Sequence, residues 1–161
     1  MNIKEHRVEL GISSVKAARA CGMPYRTYIR YEQDPNYGNE FKRNYIIDTL
    51  NKTFEISEEK GVLTLDMIKS RCYDVLSRYP EVSFCYLFGS YAKGYAKDNS
   101  DVDLVVCCGL TGIRFVGLIE ELRNSLQKRV DLIRLQDLEN NIDLVKEVMK
   151  DGIKVYEQCE G

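Results

Sequence analysis

Two aspartates separated by one residue, Asp101 and Asp103, stand twelve residues after Gly89, at the head of the apolar run Val102-Asp103-Leu104-Val105-Val106. On a strand, positions i and i+2 face the same way, so the two carboxylates project together. They repel each other unless a cation lies between them, and magnesium, which takes oxygen ligands and substrate phosphates, suits that place. Upstream, the strand-like run Val82–Phe88 ends in Gly89-Ser90. Gly89 has no side chain to keep a phosphate from the backbone. Ser90 offers a hydroxyl and opens a short helix whose free N–H groups suit an anion. A third carboxylate, Asp131, begins the run Val130-Asp131-Leu132-Ile133. If that strand lies beside the one holding Asp103, all three acids converge. Such a set fits a two-metal transfer, with ions about 3.5–4 Å apart, one on a triphosphate and one on an attacking hydroxyl. Asp131, next to the second ion only, is then placed to take the proton of the nucleophile.

Other chemistries find little support. The single histidine, His6, has no nucleophile near it in sequence, which argues against Ser/His or Cys/His catalysis and leaves it as a surface or helix-edge residue. Six cysteines show no CxxC spacing, so a structural zinc is not expected. Cys85, Cys107 and Cys108 lie in apolar runs and read as small buried hydrophobes.

The elements that must carry the acids follow from periodicity. Thr64 caps an amphipathic helix running to about Tyr79, with Leu65, Ile68, Cys72, Val75 and Leu76 on one side, and Pro80 ends it. Strand-like runs follow at Val82–Phe88, Val102–Cys107, Val130–Leu135 and Ile153–Tyr156. Helix-like runs lie between them at about Phe115–Leu126 and Leu138–Met149. This is an α/β pattern with a small mixed sheet. The first fifty residues read instead as short helices. One spans Ile3–Leu10, and a second runs through Val15–Cys21 behind a Ser13 or Ser14 cap. A third opens at Pro24 within its first turn and ends near Glu32, and a fourth spans Asn39–Asn51. An all-α domain over residues 1–56 and an α/β domain over residues 57–161 are therefore expected.

At 161 residues, 44% hydrophobic and 30% charged, the composition is that of a globular protein. No apolar run approaches the roughly 20 residues a bilayer span needs. The amino terminus lacks the apolar core of a signal peptide, so a cytoplasmic protein without membrane contact is expected. Net charge is −2, divided as +2 over residues 1–56 and −4 over the remainder. That is too small an imbalance to argue for nucleic acid by itself.

The run GSYAKGYAKDNSDVDLVV, with Asp131 downstream, resembles the signature of the DNA polymerase beta-like nucleotidyltransferase superfamily. More narrowly it resembles the minimal nucleotidyltransferases, small prokaryotic proteins often paired with HEPN-type toxins. The likeness covers about residues 64–156, including the closing Asp151-Gly152-Ile153-Lys154-Val155-Tyr156. It implies a small mixed-sheet nucleotidyltransferase fold, ATP as donor and two magnesium ions. Gly89 and Ser90 would bind the triphosphate, and Asp101, Asp103 and Asp131 would hold metal. Lys93 stands where the family commonly has a basic residue, and Ser100 precedes the first acid as part of the same motif, so both are read as nucleotide-binding.

In the first fifty residues, Ala18, Gly22, Tyr28 and Tyr31 fall at helix-turn-helix spacings: a small residue, a turn glycine and two anchors of the second helix. The string Gly22–Glu32 resembles the recognition-helix region of phage-repressor-like regulators. That likeness implies promoter DNA as a partner, bound as a dimer, with Tyr25, Arg26, Thr27 and Arg30 facing it. Taken together, the resemblances imply an antitoxin that places AMP on a tyrosine of a cognate HEPN-type toxin and represses their shared operon. Two alternatives are an aminoglycoside-like small-molecule acceptor and a DNA-binding regulator whose second domain senses nucleotide without catalysis. The sequence stops almost where its last strand closes, whereas small-molecule enzymes with this core usually add a domain downstream. Intact Gly89, Ser90, Asp101 and Asp103 weigh against a non-catalytic site.

Overall fold

A computed structural model describes residues 2–159. The chain divides into two compact units, Met1–Ile56 and Ser57–Gly161.

Among the described residues the first unit is four helices: α1 (Ile3–Glu9), α2 (Ser14–Ala20), α3 (Tyr25–Gln33) and α4 (Glu40–Phe54). Side chains of Asn2, Ser13 and Asn39 cap α1, α2 and α4 by accepting the otherwise free N–H of Lys4, Lys16 and Lys42. Pro24 is the residue before α3 rather than part of its first turn; with ψ at 143° it is extended, and it gives no side-chain cap. Ile3, Ala17, Ala18, Cys21, Tyr28, Tyr31, Ile46 and Leu50 form the core. Gly22, at φ +64°, makes the turn between α2 and α3. His6 departs from the surface expectation. It is buried, and its Nε2 lies 2.6 Å from Asn51 Oδ1 on α4. Its partner is 45 residues away in sequence, beyond the reach of local pattern.

The second unit is α/β. Its elements are α5 (Leu65–Leu76), β1 (Val82–Phe88), α6 (Gly89–Lys93), β2 (Val102–Cys108), α7 (Gly112–Leu126), β3 (Val130–Arg134), a 3-10 turn (Leu135–Leu138), α8 (Ile142–Asp151) and β4 (Ile153–Glu157). The four described strands form the expected mixed sheet, in the order β3-β2-β1-β4. β1 runs antiparallel to both β2 and β4, whereas β2 and β3 are parallel, joined through α7. Leu87, Leu104 and Leu132 are buried on one side of the sheet. On the other, Phe88, Val105 and Leu138 form a smaller core closed by Ile133, Leu144, Val145 and Val148. Successive residues alternate faces, so Asp103 and Asp131, two residues before Val105 and Ile133, lie on this second side.

Several boundaries differ from the periodic reading. α5 ends at Leu76, in a turn closed by Tyr79 N–H to the Leu76 carbonyl. α7 starts three residues earlier than its apolar pattern, at Gly112. The expected helix from Leu138 is in fact a 3-10 turn followed by a break, and α8 begins only after Asn141, whose side chain accepts the Leu144 N–H. Cys85 and Cys108 are buried as expected; Cys107, facing the other way on β2, is only half-buried. Among the described residues no helix is long and apolar enough to cross a membrane.

Candidate active site

The site lies where β1, β2 and β3 present their ends on one side of the sheet. β1 and β2 pair so that Phe88 is opposite Asp103, and the chain turns at Gly89 immediately afterwards. Gly89 has φ +71°, a conformation that side-chain-bearing residues rarely adopt. A Cβ there would come 2.1 Å from Asp103 Oδ2, so only a glycine lets the turn sit against that carboxylate. Gly89→Ala should therefore lower stability by roughly 1–2 kcal/mol from the left-handed backbone alone. It should also push the Asp103 side chain aside. Urea unfolding checks the first effect, and the β2 chemical shifts around Asp103 check the second.

The parallel register pairs Asp103 with Asp131, so these two carboxylates stand on adjacent strands at the same level. Asp101 precedes β2 and is exposed, while Asp103 is half-buried. Burial, together with the negative charges of Asp131, Asp101 and Glu147, pushes the Asp103 carboxyl up to about 6. Two of the expected acids thus act electrostatically on the third, Asp103, and a fourth acid joins them.

That fourth acid, Glu147, was not among the expected residues. It sits on α8, half-buried beside Leu144, Val145 and Val148. A carboxylate among the inward positions of an amphipathic helix is the sequence signal that could have found it. Its Oε1 accepts a hydrogen bond from Lys93 Nζ at 2.8 Å, and that contact raises Lys93 above the ordinary lysine range. Lys93 is therefore at the site, but its ammonium is engaged by Glu147. Ser90 is half-buried, and its carbonyl accepts N–H donations from Gly94 and Tyr95, which folds the end of α6. Ser100 serves the loop itself: its hydroxyl accepts the Lys97 N–H at 2.8 Å, and its own N–H donates to the Lys97 carbonyl. Arg129 also escaped the sequence reading. It bonds Glu59, lies 3.5 Å from Glu58 and reaches to 4.0 Å from Asp101.

The donor set is all oxygen, which suits a hard cation rather than zinc. A half-buried carboxylate whose proton affinity is raised by neighbouring acids is what a divalent ion would relieve, so the residues fit magnesium. Among the described residues no three acidic, histidine or cysteine side chains close into a ready-made cage. Magnesium commonly uses one or two carboxylates, the remaining places going to water and substrate phosphate.

On the first unit, Tyr25, Arg26 and Arg30 are exposed on α3 and Thr27 is half-buried. Arg30 lies over the Tyr37 ring, 4.3 Å from its centroid, and the Tyr25 hydroxyl is 3.4 Å from Ser14 Oγ.

Residues 70–160 match the family described as polymerase beta, nucleotidyltransferase. The chain belongs to that family. It is 37% identical over 59 residues to the protein adenylyltransferase MntA of Shewanella oneidensis, a stretch that is 35% of this chain and 42% of that relative. Thus the likeness spans less than half of the relative's length. A toxin-antitoxin crystal structure with AMP-PNP is 28% identical, with a TM-score of 0.49, covering 56% of this chain and 73% of the other. A tri-AMPylated HEPN toxin in complex with MNT antitoxin, from Shewanella oneidensis, is 23% identical, with a TM-score of 0.46, covering 59% and 74%.

Proposed function

We propose that this nucleotidyltransferase-family chain moves AMP from ATP to a hydroxyl of a protein partner, a tyrosine of a HEPN-type toxin, and so acts as an antitoxin. The observation that carries the reading is the Asp103–Asp131 pairing in register, with the Gly89 turn directly against Asp103. The kinship with a protein adenylyltransferase favours a protein acceptor over a small alcohol.

Asp101, Asp103 and Asp131 would hold magnesium. Once bound, it neutralises triphosphate charge and lowers the pKa of a nearby hydroxyl. The backbone of the Gly89-Ser90 turn and the Ser90 hydroxyl would bind the triphosphate. Asp131, exposed on the outer strand β3, would receive the proton of the incoming tyrosine hydroxyl. That oxygen attacks the α-phosphorus and pyrophosphate leaves in line. Lys93 would exchange its Glu147 contact for the anionic leaving group. Incubation with ATP, magnesium and the protein encoded beside this one should give a tyrosine carrying AMP, read by mass spectrometry. An unmodified partner alongside an adenylylated aminoglycoside or other small alcohol would overturn the protein acceptor.

The first unit is proposed to bind the promoter as a dimer, with half-sites about one helical turn apart. Exposed Arg26 near the start of α3 is the side chain best placed for a base edge. Arg26→Ala should weaken specific binding by ~1–3 kcal/mol, measured by gel shift on promoter and on random DNA. Equal binding to both, unaffected by the substitution, would contradict this.

A further inference from the structure

Lys128 is fully buried, the only lysine so placed among the described residues. A buried ammonium is costly unless its three protons are met. Here they are met by backbone carbonyls alone: Asp98 at 2.5 Å, Gly61 at 2.6 Å and Lys60 at 3.3 Å. The carboxylates of Asp98 and Glu59 favour the charged form from nearby, against the desolvation that lowers its proton affinity.

The three carbonyls belong to two separate stretches. Lys60 and Gly61 lead into α5, and Asp98 lies in the loop between α6 and β2. Lys128 itself stands two residues before β3, which carries Asp131. The loop needs such an anchor, because no residue from 92 to 101 is buried. Its internal bonds, Tyr95 N–H to Ser90 and the Lys97–Ser100 pair, shape it but do not fasten its middle to the core. The ammonium does that, three residues before Asp101. A neighbouring bond, Val102 N–H to the Arg129 carbonyl at 2.9 Å, joins the same two strands at the next step.

We propose that Lys128 is a positioning residue for the transfer reaction: its ammonium, seated on three carbonyls, fixes the loop holding Asp101 relative to the strand holding Asp131. The inference rests on the transferase reading above. An ammonium replaced by a chain of similar length without donors should loosen the loop while keeping most of the packing. Outer-shell supports of metal ligands typically contribute about 10–100-fold to metal affinity or activity.

The test uses the full chain and compares it with Lys128→Met. Hydrogen exchange should show the Lys97 and Ser100 amides losing protection while the β1–β2 amides keep theirs. Magnesium should be needed at roughly tenfold higher concentration for half-maximal ATP binding, with metal-free ATP binding unchanged. A lower melting temperature with the same loop exchange and the same magnesium requirement would overturn the proposal. Should Lys128→Met not fold, exchange in the unaltered protein decides. The Lys97 and Ser100 amides must open together with β3, and free local opening of the loop under a closed β3 would contradict the anchor. Asp103→Asn is the control for the site itself. If the unaltered protein binds ATP without any magnesium dependence, the transferase reading fails, and the exchange comparison still decides the role of Lys128.

Discussion

Asp131→Asn should slow the chemical step by about 10²–10⁴-fold, the range associated with losing a positioned proton acceptor. ATP binding should change far less. The asymmetry follows from placement. Asp131 is exposed on the outer strand of the sheet, beside Asp103 but away from the Gly89 turn, where the triphosphate is expected. Asp103, in contrast, is half-buried against that turn and between the other acids, so its loss should weaken magnesium-ATP binding and turnover together. Single-turnover rates at saturating ATP, set beside equilibrium ATP binding, separate the two cases. Equal losses of binding and turnover in Asp131→Asn would show that it does not act on the nucleophile.

Without metal, Asp103→Asn should stabilise the protein at neutral pH. In the unfolded chain Asp103 titrates near 3.8, and in the folded one at about 6. Between those values the folded protein keeps a proton that the unfolded chain has lost, so stability falls as pH rises and the full cost is reached above 6. Asparagine cannot ionise and escapes that cost. Allowing for solvent screening of a half-exposed group, the gain is about 1–2 kcal/mol at pH 7.5, vanishing below pH ~4. Urea unfolding in EDTA across this range gives the curve. Adding magnesium and ATP should reverse the order, since ligand binding to the folded state stabilises only a protein that can bind it. A parallel pH dependence in both proteins would place Asp103 outside the acid cluster.

The parts of the site legible in sequence are those that depend on neighbours along the chain. Asp103 opens a strand and Gly89 ends one, so residue type and spacing suffice for both, whereas Asp101 lies one residue before β2, outside the strand periodicity expected to align it with Asp103. Asp131 required one further step, a strand lying beside β2, which the sequence leaves as a condition and the parallel register supplies. What escaped depends on long-range contacts. Glu147 meets Lys93 across 54 residues, and Lys128 meets Gly61 across 67. In sequence a lysine beside an arginine reads as a solvated pair, and nothing local says that Lys128 turns inward while Arg129 turns out. His6 likewise depends on a distant partner, Asn51, 45 residues away. The start of α8 differs from the periodic pattern because Leu138 is apolar and in phase, although Asn141 supplies the cap.

The most direct measurement concerns which phosphate moves. The protein, magnesium and the neighbouring gene product are incubated with ATP labelled either at the α- or at the γ-phosphorus, and label on the partner is counted. The account predicts α-label on the partner, γ-label released with pyrophosphate, and neither transfer in Asp101→Asn/Asp103→Asn. Label arriving on the partner from the γ-position would mean phosphoryl transfer and would contradict the proposed reaction at this site.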